Sequence, residues 1–286
     1  SPTIHGSMIW PVNDSVIGKC LSHYGEWAEG ENIVMSEFVN KGDTVIDIGA
    51  NIGTTVLPMS NNVGDYGKVI AFEPQSIMSQ CLNANLTIND ITNVEVHNLA
   101  ISNKNGWAKL NDQKFWKNGR YGSAGISNEG TRVKTITLND VEVDKCSLVK
   151  IDIEGHEWQA IQGGKDFLLK HKPTLYMEAK KEIKNTKKCL KWLFENHWIC
   201  YWHFSWWVNE KKVAEKDNIF FGDGDMNIVA VHKNKAQPKN LLKLNDFNEE
   251  WTREKYLGFY EENSLEYFKR KIKFFNKIIK LKVINT

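Results

Sequence analysis

The sequence predicts an α/β fold in which a largely parallel sheet is covered by helices on both faces. Three observations carry this. A strand, a glycine turn, a helix and a second strand follow one another between Thr44 and Phe72. Strand and helix patterns then alternate as far as Glu178, as in chains that build parallel sheets through βαβ units. The runs Thr44–Ile48, Lys68–Phe72 and Ser147–Ile153 are nearly continuously apolar, as expected of strands buried on both faces.

In chain order, residues 1–40 form a cap, with a short apolar stretch at Ser7–Pro11 and a helical pattern at Asn32–Val39 before the turn Lys41-Gly42-Asp43. The core opens with a strand at Thr44–Ile48, a turn at Gly49–Gly53, a helix at Thr54–Asn61 and a strand at Lys68–Phe72. A helix over Ser76–Asn89 and a strand over Val94–Asn98 follow. Ser102–Gly130 is rich in Gly and Asn and reads as a long irregular insertion, of the kind that often serves function. Order returns at Thr131–Leu138. Next come a buried strand at Ser147–Ile153, a helix at His156–Lys170, a strand at Thr174–Glu178 and a helix at Ile183–Asn196. Trp198–Val208 is dense in aromatics, and Asn227–His232 is a short strand placed to close the sheet antiparallel. From Leu241 to Thr286 the pattern is helical. Its second half, around Tyr267–Leu281, interleaves lysines with Phe274, Phe275, Ile278 and Ile279, an apolar stripe on a basic helix. The expected organisation is a cap (1–40), a catalytic-type core (41–234) and a helical tail (235–286). The tail would pack on the core, on a twin subunit or on a membrane surface.

At 286 residues the chain suffices for one elaborated α/β domain. With 41% hydrophobic and 25% charged residues it is neither disordered nor collagen-like. A net charge of +2 offers no global field for nucleic acid, and no nucleic-acid partner is expected. The five cysteines are odd in number and spread out, without Cys-x-x-Cys spacing, which suits a reducing compartment. No apolar run approaches a membrane span, so a cytoplasmic location is expected.

Candidate binding chemistry concentrates at Val45-Ile46-Asp47-Ile48-Gly49-Ala50-Asn51-Ile52-Gly53. Gly49 and Gly53 allow a sharp turn and a close backbone approach. The Gly-x-Gly-x-x-Gly of a pyrophosphate cradle is missing its middle glycine, and Asn51 stands in the loop. Asp47 would repel a pyrophosphate but suits a cationic amino-acid group, such as S-adenosylmethionine carries. Glu73, at the end of the next strand, is placed to accept hydrogen bonds from a ribose diol. The competing reading is a plain tight βα connection with Glu73 as a solvated strand end. The coincidence of both features at adjacent strand ends argues against it.

Together, Asp47-Ile48-Gly49-Ala50-Asn51-Ile52-Gly53, Phe72-Glu73-Pro74 and Val149-Lys150-Ile151-Asp152-Ile153-Glu154-Gly155-His156-Glu157 resemble the FkbM-type family of class I S-adenosylmethionine-dependent methyltransferases, chiefly O-methyltransferases. The resemblance spans about residues 20–232 and includes Tyr24-Gly25-Glu26-Trp27, similar to the family's entry loop. It implies a Rossmann-like class I fold with a mostly parallel seven-stranded sheet, extended here by the C-terminal helices. It also implies that Asp47, Gly49, Asn51 and Gly53, with Ala50 and Thr54 beside them, hold the methionine part. Glu73 with Pro74 would hold the ribose, and Asn98 to Ala100 the adenine edge, with Asp152 at the methyl end.

Methyl transfer to a hydroxyl needs the acceptor oxygen held in line and relieved of its proton. His156 is the first candidate base, because its free pKa lies near neutrality, with Asp152 and Glu154 beside it. A helix-capping role competes for His156, and helix-dipole placement for Glu157. Metal-free catalysis is preferred, with a divalent ion as the alternative. If a divalent ion were used, Asp152 and Glu178 at two strand ends would be its ligands. Tyr24, Trp27, Glu178, Trp202 and His203 are the candidate acceptor contacts. The aromatics among Trp198, Trp202, Trp206 and Trp207 offer sugar-stacking faces, against the commoner reading of core packing. Asp223-Gly224-Asp225 reads as a solvated turn. The absence of an Asn/Asp-Pro-Pro-Tyr/Phe string disfavours amino-group methylation, and no Pro-Cys is present for cytosine C5 chemistry. The expected activity is O-methylation of a sugar hydroxyl in a polysaccharide or glycoconjugate. The alternatives are a small natural-product acceptor, a nicotinamide oxidoreductase, or a non-catalytic adaptor working through the basic tail.

Overall fold

The computed structural model describes residues 1–111, 117–179, 183–208, 219–220, 223–250 and 252. The chain begins with a small antiparallel pair, β1 (Pro2–Thr3) and β2 (Gly6–Ser7), followed by α1 (Ile17–Tyr24) and α2 (Glu29–Ser36). The first βαβ units run through β3 (Thr44–Ile48), α3 (Val56–Val63), β4 (Lys68–Phe72), α4 (Ser76–Ile88) and β5 (Val94–His97). Four short strands come next: β6 (Ala100–Ile101), β7 (Gly106–Leu110), β8 (Ile126–Ser127) and β9 (Thr131–Ile136). The chain then continues through β10 (Leu148–Ile151), α5 (Glu157–Gly163), α6 (Lys165–His171), β11 (Thr174–Glu178) and α7 (Ile183–Glu195). Three strands, β12 (Trp198–Trp206), β13 (Gly224–His232) and β14 (Leu242–Lys243), end the described part.

The central sheet has the order β14-β12-β13-β11-β10-β3-β4-β5. The five strands from β11 to β5 are mutually parallel, and β13 lies antiparallel to both β11 and β12. The sheet is therefore a mixed α/β sheet, as the sequence resemblance implies, with eight strands where seven were expected. The eighth is β14, which pairs antiparallel with β12 through Tyr201↔Lys243 and Trp202↔Leu242. The expected helix from Leu241 is thus not found over 241–250, where the pattern was too polar to outweigh a sheet edge offering free backbone groups. The rest of the expected helical tail, including the basic stripe, lies outside the described residues.

Alternation along the strands sorts side chains between two helical layers. Ile46, Ile48, Val149, Ile151, Leu175 and Met177 face a core closed by α5, α6 and α7. Val45, Val69, Ala71, Leu148 and Tyr176 face one closed by α1 to α4. One expected helix is broken. His156–Lys170 divides into α5 and α6 because Gly163 and Gly164 sit where a Cβ would lie 2.1 Å from the Ser102 carbonyl and 2.8 Å from Leu138. The insertion expected to be irregular contributes two strands, β7 and β8, to a second sheet of order β6-β9-β7-β8, and the aromatic run opens with a nine-residue strand paired along its whole length with β13. Among the described residues no helix is long and apolar enough to cross a membrane.

Candidate functional site

The loops after β3, β4, β10 and β11 converge at the carboxyl ends of the parallel strands, where open α/β sheets form their ligand crevice. A cavity of about 270 Å³ lies there. It is lined by Gly49, Ala50, Asn51 and Thr54 after β3, by Glu73 and Pro74 after β4, and by Asp152, Glu154 and His156 after β10. Ala100, Trp27 and Glu178 complete the set of sequence candidates that reach it.

The glycine turn works differently from expectation. Gly49, at φ +87°, packs so closely on the loop after β10 that a Cβ would lie 1.9 Å from the Asp152 carbonyl oxygen. Gly53, at φ +98°, meets Leu82 of α4 and does not line the cavity. Both glycines serve loop and helix packing. Asn51 takes the place of a middle glycine because Asn tolerates the left-handed conformation it adopts, φ 51°. Its backbone N–H donates to Glu73 Oε2 at 2.8 Å, and its Oδ1 accepts from Ile52 N at 2.7 Å.

Glu73 is buried. Its other oxygen accepts from Gln75 N at 2.7 Å, and burial pushes its pKa up to about 7. One backbone donor on each oxygen leaves lone pairs for donors inside the cavity. Asn98 does not line the cavity: its side-chain amide ties the turn after β5 to the Glu73 and Pro74 carbonyls at 2.8 and 3.0 Å.

Asp47 lies beneath the cavity floor. It is fully buried, accepts from the Thr55 hydroxyl, and pairs with Lys150 Nζ at 3.1 Å. Its carboxylate is held inside the protein and does not line the cavity, so the expected contact with a cationic group is not a direct one in this arrangement. Lys150, which the sequence reading passed over, lines the cavity. It bonds the Gly49 carbonyl at 3.2 Å and stands 3.7 Å from Asp152, and against the pull of burial the carboxylates of Asp47, Asp152 and Glu31 hold its ammonium above the ordinary lysine value. The signal was present: a lysine inside the buried strand Leu148-Val149-Lys150-Ile151 requires a partner.

The cavity lining is acidic. Asp14, Glu31, Glu73, Asp152, Glu154, Glu178 and Asp225 line the cavity, against two basic side chains, Lys150 and Arg120, and the imidazole of His156. Burial and the neighbouring carboxylates push Glu178 up to about 10 and Glu31 to about 8. Asp152, Glu154 and Glu178 each bring a carboxylate oxygen within 4.8 Å of the others, so Glu154 would add a third oxygen ligand to the two named from the sequence if a divalent ion were held there. Glu154 reaches this position through a left-handed residue, φ 57°. His156 caps α5. Its Nε2 lies 3.0 Å from Ser102 Oγ, and burial lowers its pKa below 6.5.

Trp27 and Trp207 stack at 5.3 Å, tilted by 34°, in the cavity wall. Trp207 Nε1 donates to Asp225 at 2.5 Å, and the Arg120 guanidinium lies 5.6 Å from the Trp207 ring. Asp225 is thus part of β13 and of the cavity, where a solvated turn was expected. Tyr24, Trp202 and His203 are buried away from the cavity. Tyr24 accepts from Ile219 N, Trp202 packs in the core beside α7, and His203 bonds the Tyr176 hydroxyl at 2.8 Å.

The model of the FkbM methyltransferase domain matches residues 47–198, slightly more than half of the chain. The chain belongs to the FkbM methyltransferase family. Membership makes it an S-adenosylmethionine-dependent methyltransferase, and the donor set of this FkbM domain fits that ligand: a buried Glu73 with spare acceptors, and a surplus of carboxyl groups suited to a cation. Among solved structures, methyltransferase FkbM from Methylobacillus flagellatus KT is 16% identical with a TM-score of 0.46, covering 66% of this chain and 43% of that one. A SAM-dependent O-methyltransferase from Thermotoga maritima is 17% identical with a TM-score of 0.44, covering 73% and 67%. A SAM-dependent methyltransferase from Aquifex aeolicus is 16% identical with a TM-score of 0.43, covering 78% and 98%. The chain therefore spans less than half the length of the Methylobacillus protein. Comparison with curated proteins gave no match.

Proposed function

We propose that this methyltransferase acts on a hydroxyl oxygen of a sugar, in a polysaccharide or glycoconjugate. The observation that carries the acceptor class is the Trp27–Trp207 pair in the wall of the cavity that also holds His156. Flat aromatic faces stack on the C–H face of a sugar ring, and the carboxyl groups of Glu31 and Asp225 beside them accept bonds from its hydroxyls.

Glu73 would hold the ribose diol and the Ala50–Asn51 backbone the methionine part, with the carboxyl groups at the methyl end facing the sulfonium. Bound S-adenosylmethionine supplies an electrophilic methyl group, whose bond to sulfur breaks with the electron pair remaining on sulfur. The Trp pair aligns the acceptor oxygen for in-line approach. Its proton passes to His156, which is neutral at pH 7 because burial lowers its pKa. Ser102 fixes the imidazole: when its hydroxyl accepts from Nε2–H, Nδ1 is left as the basic nitrogen.

A second reading is favoured by one observation, the Asp152–Glu154–Glu178 group, whose three carboxyl oxygens suit a divalent cation that would lower the hydroxyl pKa. A nicotinamide oxidoreductase is disfavoured by the same acidity, since a pyrophosphate would meet carboxyl groups where it needs donors. A cytoplasmic site of action accords with five unpaired cysteines. Mass-spectrometric screening of nucleotide-sugars and oligosaccharides for the gain of one methylene tests the acceptor class. Turnover confined to non-carbohydrate hydroxyls would overturn it.

A further inference from the structure

The second sheet has two different faces. Ala108, Leu110 and Val133 point inward with Ala100 and Ile126, and Leu110 and Ile126 reach the cavity wall. The alternate residues Trp107, Lys109, Arg132 and Lys134 are all exposed. Trp107 stands opposite Lys134, and Lys109 opposite Arg132. Like charges directly opposed across a strand pair destabilise a sheet. Among the described residues none of these three cations has an acidic partner within ion-pair distance, and no acid occupies a strand position on this face. The Arg132 guanidinium lies 4.3 Å over the Trp107 ring, and the indole is 59% exposed. An uncompensated basic patch with one exposed indole, on the outside of a wall of the active cavity, calls for an anionic partner.

We propose that this face of the β6-β9-β7-β8 sheet binds an acidic polysaccharide, so that the acceptor is a negatively charged glycan chain lying across Lys109, Arg132 and Lys134. The proposal rests on the sugar-acceptor reading above. Trp107 stacks on a sugar ring while the cations meet carboxylate or sulfate groups on neighbouring units. The acid-rich cavity then receives an uncharged unit of the same chain. A nucleic acid fits less well, because single-strand binders present a series of aromatics to successive bases and this face offers one. A lipid surface fits less well because Trp107 is the sole large exposed apolar side chain on these strands.

The test measures binding of fluorescently labelled oligogalacturonate to the full chain, with dextran, poly(U) and phosphatidylglycerol vesicles as parallel arms. S-adenosylhomocysteine binding is followed by calorimetry on the same samples. The wild type should bind the acidic oligosaccharide, more weakly as salt rises, and ignore dextran. The triple variant Lys109→Glu, Arg132→Glu, Lys134→Glu should lose roughly tenfold or more in that affinity while S-adenosylhomocysteine binding stays unchanged. If it fails to fold, the alanine triple at the same exposed positions serves instead. The proposal is overturned if the variant binds the oligosaccharide like the wild type, if the wild type does not bind it, or if poly(U) or vesicles bind more tightly at equal salt. Loss of S-adenosylhomocysteine binding by the wild type would defeat the donor assignment instead, and leave this face to be judged by the oligosaccharide arm.

Discussion

Lys150 on β10 stands in register with Asp47 on β3, its ammonium 3.1 Å from the carboxylate, and both side chains are buried. Removing either partner strands the other's charge in the interior, at a cost of about 3–5 kcal/mol for a buried pair. Lys150→Met should therefore lower the urea midpoint strongly, and the double variant with Asp47→Asn should cost less than the two single changes summed. Additive losses in equilibrium unfolding would show that the pair is not coupled.

Glu73 links the glycine turn to the strand beside it through Asn51 N and also faces the cavity. Glu73→Gln keeps the shape but replaces one of the two acceptor oxygens by an amide donor. Its affinity for S-adenosylhomocysteine should fall roughly tenfold, the loss expected when one hydrogen-bond acceptor is removed from a buried site. Calorimetry reads this directly, and unchanged affinity would remove Glu73 from the donor site.

With His156 as base, His156→Gln should lower kcat about 10²–10⁴-fold with little change in donor affinity. Because burial depresses the imidazole pKa, the acid limb of the wild-type pH–rate profile should fall below pH 6.5. The limb should vanish in the variant. A limb above that value, or one retained in the variant, assigns the base elsewhere.

Glu178 titrates far above its ordinary 4.5, at about 10. The folded protein therefore keeps a proton that the unfolded chain releases, and this contribution erodes stability as pH rises from 4.5 towards 10. Glu178→Gln should raise Tm by several degrees at pH 8 and change it little at pH 4.5. Equal shifts at both pH values would contradict the protonated state.

Chelation separates the two routes for the acceptor proton. With His156 as base, EDTA dialysis should leave turnover unchanged. Loss of activity restored by Mg²⁺ would instead assign the step to a cation held by Asp152, Glu154 and Glu178.

Much of this was legible in the amino-acid order. β3, β4 and β11 begin and end where their apolar runs do, because strands buried on both faces leave an unbroken signal. Of the second sheet only β9 was legible, since β6, β7 and β8, strands of two to five residues separated by Gly and Asn turns, are too short for alternation to register. Within the site, the loops after β3, β4 and β10 could be named because their motifs are contiguous. Trp207, Arg120, Glu31 and Asp225 come together from four distant segments, and nothing local marks them as neighbours. Asp47 misled for a physical reason: an acid at a strand end looks available until its partner one strand away is known.

The bare backbone of Gly49, pressed against the Asp152 carbonyl, has a kinetic corollary. The turn after β3 and the turn after β10, which on the proposed reading meet the donor and present the methyl-end acids, pack directly on each other, so displacing one displaces the other. Occupancy of the first should thus prepare the second, giving ordered addition in which the nucleoside enters before the acceptor.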